Sequence, residues 1–257
     1  MLLGIAGFLT GLLVGATGVG GGSLLTPLLL LLFGIAPTTA VGTDLWLAAI
    51  TKLAAARVHQ SARLIDWQVV RRLWAGSLPA SALTSLLMRA DLVLIRVDFL
   101  KAAIAAAVLL TAVGLLLQKP LHRLGDRFRS TQAPRFEAAQ PSLTVAAGVF
   151  LGFTVTLTSI GAGALGVVIL TYLYPLRLTA SRLIATDIAH AIPLAIFAGL
   201  GHLLIGHVDF DLLGWLLIGS LPGALIGAAL SAKLPQNLLR TLLAVVLTAV
   251  GVKLWRG

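Results

Sequence analysis

Charge is scarce in this chain. Lys and Arg number 19 and Asp and Glu 9 in 257 residues, or 11%, against about 25% for an ordinary soluble domain. So little polar surface cannot cover a chain that is 58% hydrophobic, and a water-soluble enzyme is excluded first. Cysteine is absent, which excludes a disulfide framework, a thiolate metal site and a thiol nucleophile. No Lys or Arg precedes the apolar residues Met1 to Val14. A cleaved signal would need that basic start, so the segment reads as mature protein. Five scattered histidines without paired helical spacing make no metal site, and no cofactor is expected.

What is present is a series of apolar runs, over about 2–16, 23–35, 38–56, 67–88, 92–117, 142–158, 163–175, 178–201, 211–231 and 236–255. Roughly twenty apolar residues cross a bilayer as a helix, so the chain has room for about eight such segments. The net charge of +10 sits in short breaks between the runs. That is the pattern of cytoplasmic membrane loops rather than of a nucleic-acid surface. One interruption is long and polar, 118–141, with Arg123, Arg127, Arg129 and Arg135. It reads as a cytoplasmic loop between a first transmembrane repeat, 1–117, and a second, 142–257.

The two halves are related. Gly76-Ser77-Leu78-Pro79 recurs 143 residues later as Gly219-Ser220-Leu221-Pro222. The same offset carries Thr43-Asp44 onto Thr186-Asp187, His59 onto His202 and Asp66 onto Asp209. Upstream, Val19-Gly20-Gly21-Gly22 falls on Ile160-Gly161-Ala162-Gly163 at an offset of 141. Leu- and Ala-rich helices match leucines by chance, but not Asp, His, Asp and Gly-Ser-Leu-Pro in one register. The halves also differ in charge: Arg57, Arg63, Arg71 and Arg72 fall on Leu200, Gly206, Gly214 and Trp215, and Arg182 on Thr39. Positive loops stay inside, so equivalent loops face opposite sides, which is the inverted-topology repeat of many secondary transporters.

An inverted repeat needs an odd number of crossings per half, and 38–56, 67–88 and 92–117 supply three. The pieces 2–16 and 23–35 are each too short for a full span. They fit a broken first helix, as a re-entrant hairpin or two tilted short spans, meeting at 15–22. The expected fold is therefore an all-α integral membrane protein, a polytopic helical bundle of two inverted-topology repeats, each opening with a broken helix hairpin. Loop 202–210 and both termini are expected outside.

Two features carry chemistry. Successive glycines expose backbone N–H groups, and a helix starting beyond them adds its positive end, so a nest of this kind favours an anion. The contacts this predicts are Thr17, Gly18, Gly20, Gly21, Gly22 and Ser23 in the first half. In the second they are Thr158, Ser159, Gly161 and Gly163, with Thr43 and Thr186 beside the aspartates. Close packing of helices through small residues is the competing account. The second feature is the pair Asp44 and Asp187, roughly 9–13 Å into their apolar runs at 1.5 Å per residue. A carboxylate at that depth costs about 2.5–3.5 kcal/mol on insertion scales and usually faces a partner or a pathway. Both are read as proton-coupling groups, with His190 one turn beyond Asp187 as a relay; capping of broken helices is the structural alternative. Lys52 has Ala195 as its counterpart and either snorkels or breaks the symmetry. His59 and His202 read as loop-edge surface residues, Asp66 and Asp209 as helix caps, and Gly76 as lying outside the site.

Gly18-Val19-Gly20-Gly21-Gly22, Pro27, Gly34-Ile35-Ala36-Pro37 and Ala40-Val41-Gly42-Thr43-Asp44 resemble the amino-terminal signature of the TauE/SafE family of membrane permeases. Ala185-Thr186-Asp187-Ile188-Ala189-His190 and Gly219-Ser220-Leu221-Pro222-Gly223 are similar to that family's second half. The resemblance covers nearly the whole chain outside the polar stretch. It implies export or uptake of a small anion across the cell (inner) membrane, sulfite and organosulfonates being the best-known substrates. The second cluster departs from a triple glycine at Ala162. The leading reading is thus a secondary transporter of a small, sulfur-containing anion, with proton coupling and no nucleic-acid partner. The alternatives are an intramembrane lipid-phosphate enzyme with inverted repeats, for which no apolar run holds an acid cluster beside an Arg, and an anion channel.

Overall fold

The computed structural model describes residues 2–17, 22–58, 64–90, 96–175, 177–231 and 236–256. Among them are nine α-helices and no strands: α1 (Leu2–Thr17), α2 (Gly22–Phe33), α3 (Pro37–Val58), α4 (Trp67–Arg89), α5 (Val97–Thr158), α6 (Ala164–Leu173), α7 (Ala180–Leu204), α8 (Phe210–Ser231) and α9 (Gln236–Arg256). Four stretches are long and apolar enough to cross a membrane, Val97–Leu117, Phe136–Thr158, Ser181–Leu204 and Phe210–Gly227. Leu2–Ala16, Gly22–Phe33 and Ala164–Leu173 are shorter apolar helices, as the two broken elements require. Large apolar side chains such as Leu83, Ile218, Leu225 and Val245 point outward, as they do where lipid replaces water as the solvent.

The polar stretch corrects the sequence reading: it is helical backbone inside α5, not an open loop. Leu, Arg, Gln and Ala make up half of its 24 residues, and these propagate a helix at little cost, although Pro120, Pro134 and Pro141 each remove a backbone donor. A straight helix of 62 residues would be about 93 Å long, yet Leu100 and Leu157 share one buried cluster with Met88. The element therefore turns back on itself between its two apolar spans.

The halves cross into each other. α1 lies along α8 and α4 lies along the carboxyl-terminal arm of α5, both running in parallel. Each seam is made by glycines pressed on backbone. Gly7, Gly11 and Gly15 face Leu216, Ser220 and Ala224, while Gly219 faces Gly4 and Phe8. In the other seam Gly148 and Gly152 face Leu73 and Ser77, and Gly76 faces Val145 and Val149. Shifted by the repeat offsets, these are the same contacts. Gly76 is thus a packing residue and not a neutral position, because its Cα lies against a neighbouring backbone where no Cβ fits.

The central pair is α3 and α7, which are equivalent in sequence. The Trp46 Nε1 donates to the Gly199 carbonyl at 3.1 Å, and Gly42 lies against His202 and His207, so the two helices run antiparallel. Paired hydrogen bonds lock their neighbours. The Asp66 N–H donates to Thr186 Oγ1 and the Asp209 N–H to Thr43 Oγ1, each at 3.1 Å. Asp66 and Asp209 then cap α4 and α8 by accepting from Val69 and Leu212 at 3.2 and 2.9 Å. Asp66 has a second partner that the spacing did not reveal: Arg177 holds it in a fork, at 2.7 and 2.9 Å.

Candidate functional site

The start of α2 and the end of α5 meet, the backbone at Gly22 lying directly against Ser159. Gly18, Gly20 and Gly21 lie outside the described residues. The second break is fully described. α5 ends at Ser159, which has φ 59°, and Gly161 and Gly163 have φ 129° and 127°. Only glycine holds those angles without strain, whereas Ala162 between them does not need one, which accounts for Gly-Ala-Gly in place of a triple glycine. Thr158 is turned into the break, accepting from the Ile160 N–H at 3.1 Å and donating to the Thr154 carbonyl at 2.7 Å.

The aspartates stand at these breaks, one per half. Asp44 is fully buried and accepts from Thr26 Oγ1 on α2 at 2.7 Å, with Ser159 beside it. Asp187 is buried on α7, faced by the Gly163 N–H and acted on by the charge of Lys52. The Thr26 hydroxyl and the Gly163 N–H are thus turned toward the protein's own carboxylates. Ser23 is buried at the first turn of α2 and Thr17 ends α1. The hydroxyl oxygens of Thr43 and Thr186 accept the cross-half bonds described above.

Two expectations are corrected here. Lys52 does not snorkel: it is 9% exposed and donates to the Ala162 carbonyl at 3.0 Å, because the glycine-bounded turn leaves that carbonyl without a helical partner and aims it at α3. His202 is not a surface residue. It is buried, and its Nε2 donates to the Thr156 carbonyl at 2.8 Å, since the last turn of α7 faces α5 rather than water. His59 lies outside the described residues. His190 is buried on the same face as Asp187, with Nε2 at 3.0 Å from Ser77 Oγ on α4. Just outside the membrane-spanning segment, partial burial holds the His207 imidazole below the usual histidine range.

Thr26, Thr10, Thr51 and Ser220, all near Asp44, were not read from the sequence. Thr10 and Thr51 fall on Leu151 and Leu194 in the second half, so a polar residue where the repeat has leucine was the available signal. Among the described residues no group of three acidic or histidine side chains could hold a metal ion.

The family comparison decides what this arrangement belongs to. The model of the family described as "Sulfite exporter TauE/SafE" matches residues 3–254. The chain belongs to the TauE/SafE family. It is a multi-pass membrane transporter, and not an enzyme, as the names of its relatives indicate. The chain is similar to "Probable membrane transporter protein YjnA" of Bacillus subtilis, 37% identical over 252 residues and 97% of each chain. "Probable membrane transporter protein YdhB" of the same organism is 29% identical over 226 residues, 86% of each chain. No solved structure matches. Within the TauE/SafE match lie both helix breaks, both aspartates and Lys52.

Proposed function

We propose that this transporter is a secondary carrier of a small anion, sulfite or an organosulfur anion, in the inner membrane of the cell. The observation that carries the reading is the meeting of the two helix breaks, Gly22 on Ser159, with one buried aspartate at each. Helix starts and backbone N–H groups supply partial positive charge there, a field weak enough to release the ion it binds. The aspartates compete with the substrate for the same donors. Protonating them removes the competitor, so anion affinity should rise as pH falls, and Asp44 and Asp187, with His190 as relay, are the coupling groups in this reading. An inside-negative potential is worth about 2.3 kcal/mol per charge per 100 mV. Export of a monovalent anion can run on that alone, whereas uptake needs a co-transported cation or proton.

Counterflow of sulfite in proteoliposomes tests it: a carrier exchanges labelled for unlabelled anion, and conductance without exchange would mean a channel. Gly21→Val should weaken sulfite binding by roughly tenfold or more, on the scale of one charge-assisted hydrogen bond lost. Gly214→Ala is the control, since nothing lies within 4 Å of a Cβ at that position. Unchanged binding by a folded Gly21→Val would remove the first tip from the site.

The reading includes halves of inverted topology, 1–117 and 142–257, joined on the cytoplasmic side by 118–141. The antiparallel course of the equivalent helices α3 and α7 supports it. Because the chain has no cysteine, single cysteines at Ser130 and His207 should react with an impermeant thiol reagent from opposite sides of the membrane. Labelling of both from one side of intact cells would exclude the inversion.

A further inference from the structure

Asp66 ties elements of opposite halves together at one point. It caps α4, its backbone N–H holds Thr186 on α7, and its carboxylate holds Arg177, in the connection between α6 and α7. Thr186 precedes Asp187, so the knot stands one residue from the buried carboxylate of the second half. It lies at the end of the bundle to which the polar stretch of α5 returns. There Gln140 donates to the Leu173 carbonyl at 2.9 Å, and Arg72 and Thr144 meet on the Tyr174 hydroxyl at 3.3 and 2.7 Å. The opposite end repeats the hydrogen bonds but not the charge. Asp209 caps α8 and holds Thr43 in the same way, yet the counterparts of Arg177 and Arg182 are Gly34 and Thr39. We propose that Asp66 and Arg177 form an ionic latch that holds the carrier shut on the side of 118–141, and that its release opens a path from Asp187 to that side.

The pair is built to open. The Asp66 side chain is 5% exposed and that of Arg177 40%, so the acid is held while the cation stands at the water boundary. Besides its fork to Asp66, Arg177 donates to Gln68 on α4 at 2.8 Å, and each of these bonds crosses from the second half to the first. A second guanidinium stands close by. Arg182 Nη2 is 4.0 Å from Asp66 Oδ2, beyond hydrogen-bond reach, and its buried Nε has no partner among the described residues. Arg182 belongs to α7 itself. When Arg177 swings away, Arg182 can take the carboxylate, so release does not strand a buried charge, which would be costly. One acid with two alternative cations is the two-state element that a conformational switch requires. At Asp209 the same cap and cross-half bond form with Gly34 and Thr39 in place of the arginines. The fold itself therefore does not require the ion pair.

The latch rests on the carrier reading, but its test uses no anion. The chain has no cysteine, so single introduced cysteines in the full chain report access to an impermeant thiol reagent. Ser77→Cys stands on α4 against His190, about 16 Å along the helix from Asp66 at 1.5 Å per residue. Ser85→Cys stands toward the other end of α4, beside Gly201 of α7. Arg177→Gln should raise labelling of Ser77→Cys about tenfold, as for one lost bond to a charged group, from the face at which Ser130→Cys labels. Labelling of Ser85→Cys from the opposite face should stay as in the parent. Asp66→Asn should act like Arg177→Gln, because asparagine still caps α4, and Arg177→Lys should fall between parent and Arg177→Gln. Arg182→Gln leaves the fork in place and should raise nothing. If Arg177→Gln does not fold, Asp66→Asn carries the result. Failure of both to fold makes the pair structural and overturns the proposal. Unchanged Ser77→Cys labelling overturns it too, as does an equal rise with Arg182→Gln, or a rise at both reporters, which would mean a loosened fold. Absence of sulfite counterflow in a parent whose labelling behaves as expected would discard the substrate and keep the latch.

Discussion

Lys52→Met should destabilise the protein by about 1–3 kcal/mol, the range for leaving a buried hydrogen-bond acceptor unsatisfied. Methionine keeps the length of the stem and removes the ammonium. It leaves the Ala162 carbonyl without its 3.0 Å donor and Asp187, 2% exposed, without the positive charge that acts on it. The double variant Lys52→Met with Asp187→Asn should regain more than half of the loss, because the stranded charge goes with its partner. Thermal unfolding in detergent, followed for the parent, both single variants and the double, closes this cycle. A Lys52→Met midpoint equal to the parent's would show that the ammonium does not compensate Asp187.

Gly219→Val and Gly76→Val should both fail to give well-folded protein, and for one reason. A Cβ at Gly219 runs into the Gly4 carbonyl and the Phe8 nitrogen, and one at Gly76 into the Val145 carbonyl and the Val149 nitrogen. Overpacking costs about 1–3 kcal/mol where side chains can shift aside. Here the obstacle is backbone on both sides, so the whole seam between α1 and α8, or α4 and α5, must open. Gly214→Val, which faces open space, should change stability by no more than about 1 kcal/mol, the range of helix propensity. The readout is the yield of monodisperse protein and its unfolding midpoint. Tolerance at Gly76 with failure at Gly219 would mean that the crossed packing of the halves is not equivalent.

Much of the architecture was legible beforehand because membrane helices are specified locally. Apolar runs separated by Gly, Pro and Arg reproduce α1 to α4 and α6 to α9 within a few residues. The one misreading, at 118–141, came from taking polarity and proline as signs of a loop; helix propensity depends on backbone and rotamer freedom, not on polarity. The aspartates were legible because charge in an apolar run is rare. Lys52 was visible for the same reason, but its direction was not. Whether a lysine reaches to the interface or inward depends on a carbonyl 110 residues away, and no local pattern encodes that.

Composition and spacing alone determined that this is a polytopic membrane protein of two related halves with a broken helix and a buried carboxylate in each. Those properties follow from what lipid excludes and from residues repeating in one register. Only the tertiary structure decided what stands next to each carboxylate. His190 and Lys52 reach Asp187's side from the length of α7 and from the opposite half, and Thr10, Thr51 and Ser220 gather at Asp44 from three separate helices. Repeat arithmetic could say that these positions differ between the halves. That the hydroxyls fall beside Asp44 and the lysine and histidine beside Asp187 is a matter of how the helices cross, and the crossing is set by glycine seams whose partners lie more than a hundred residues apart in one case and about seventy in the other.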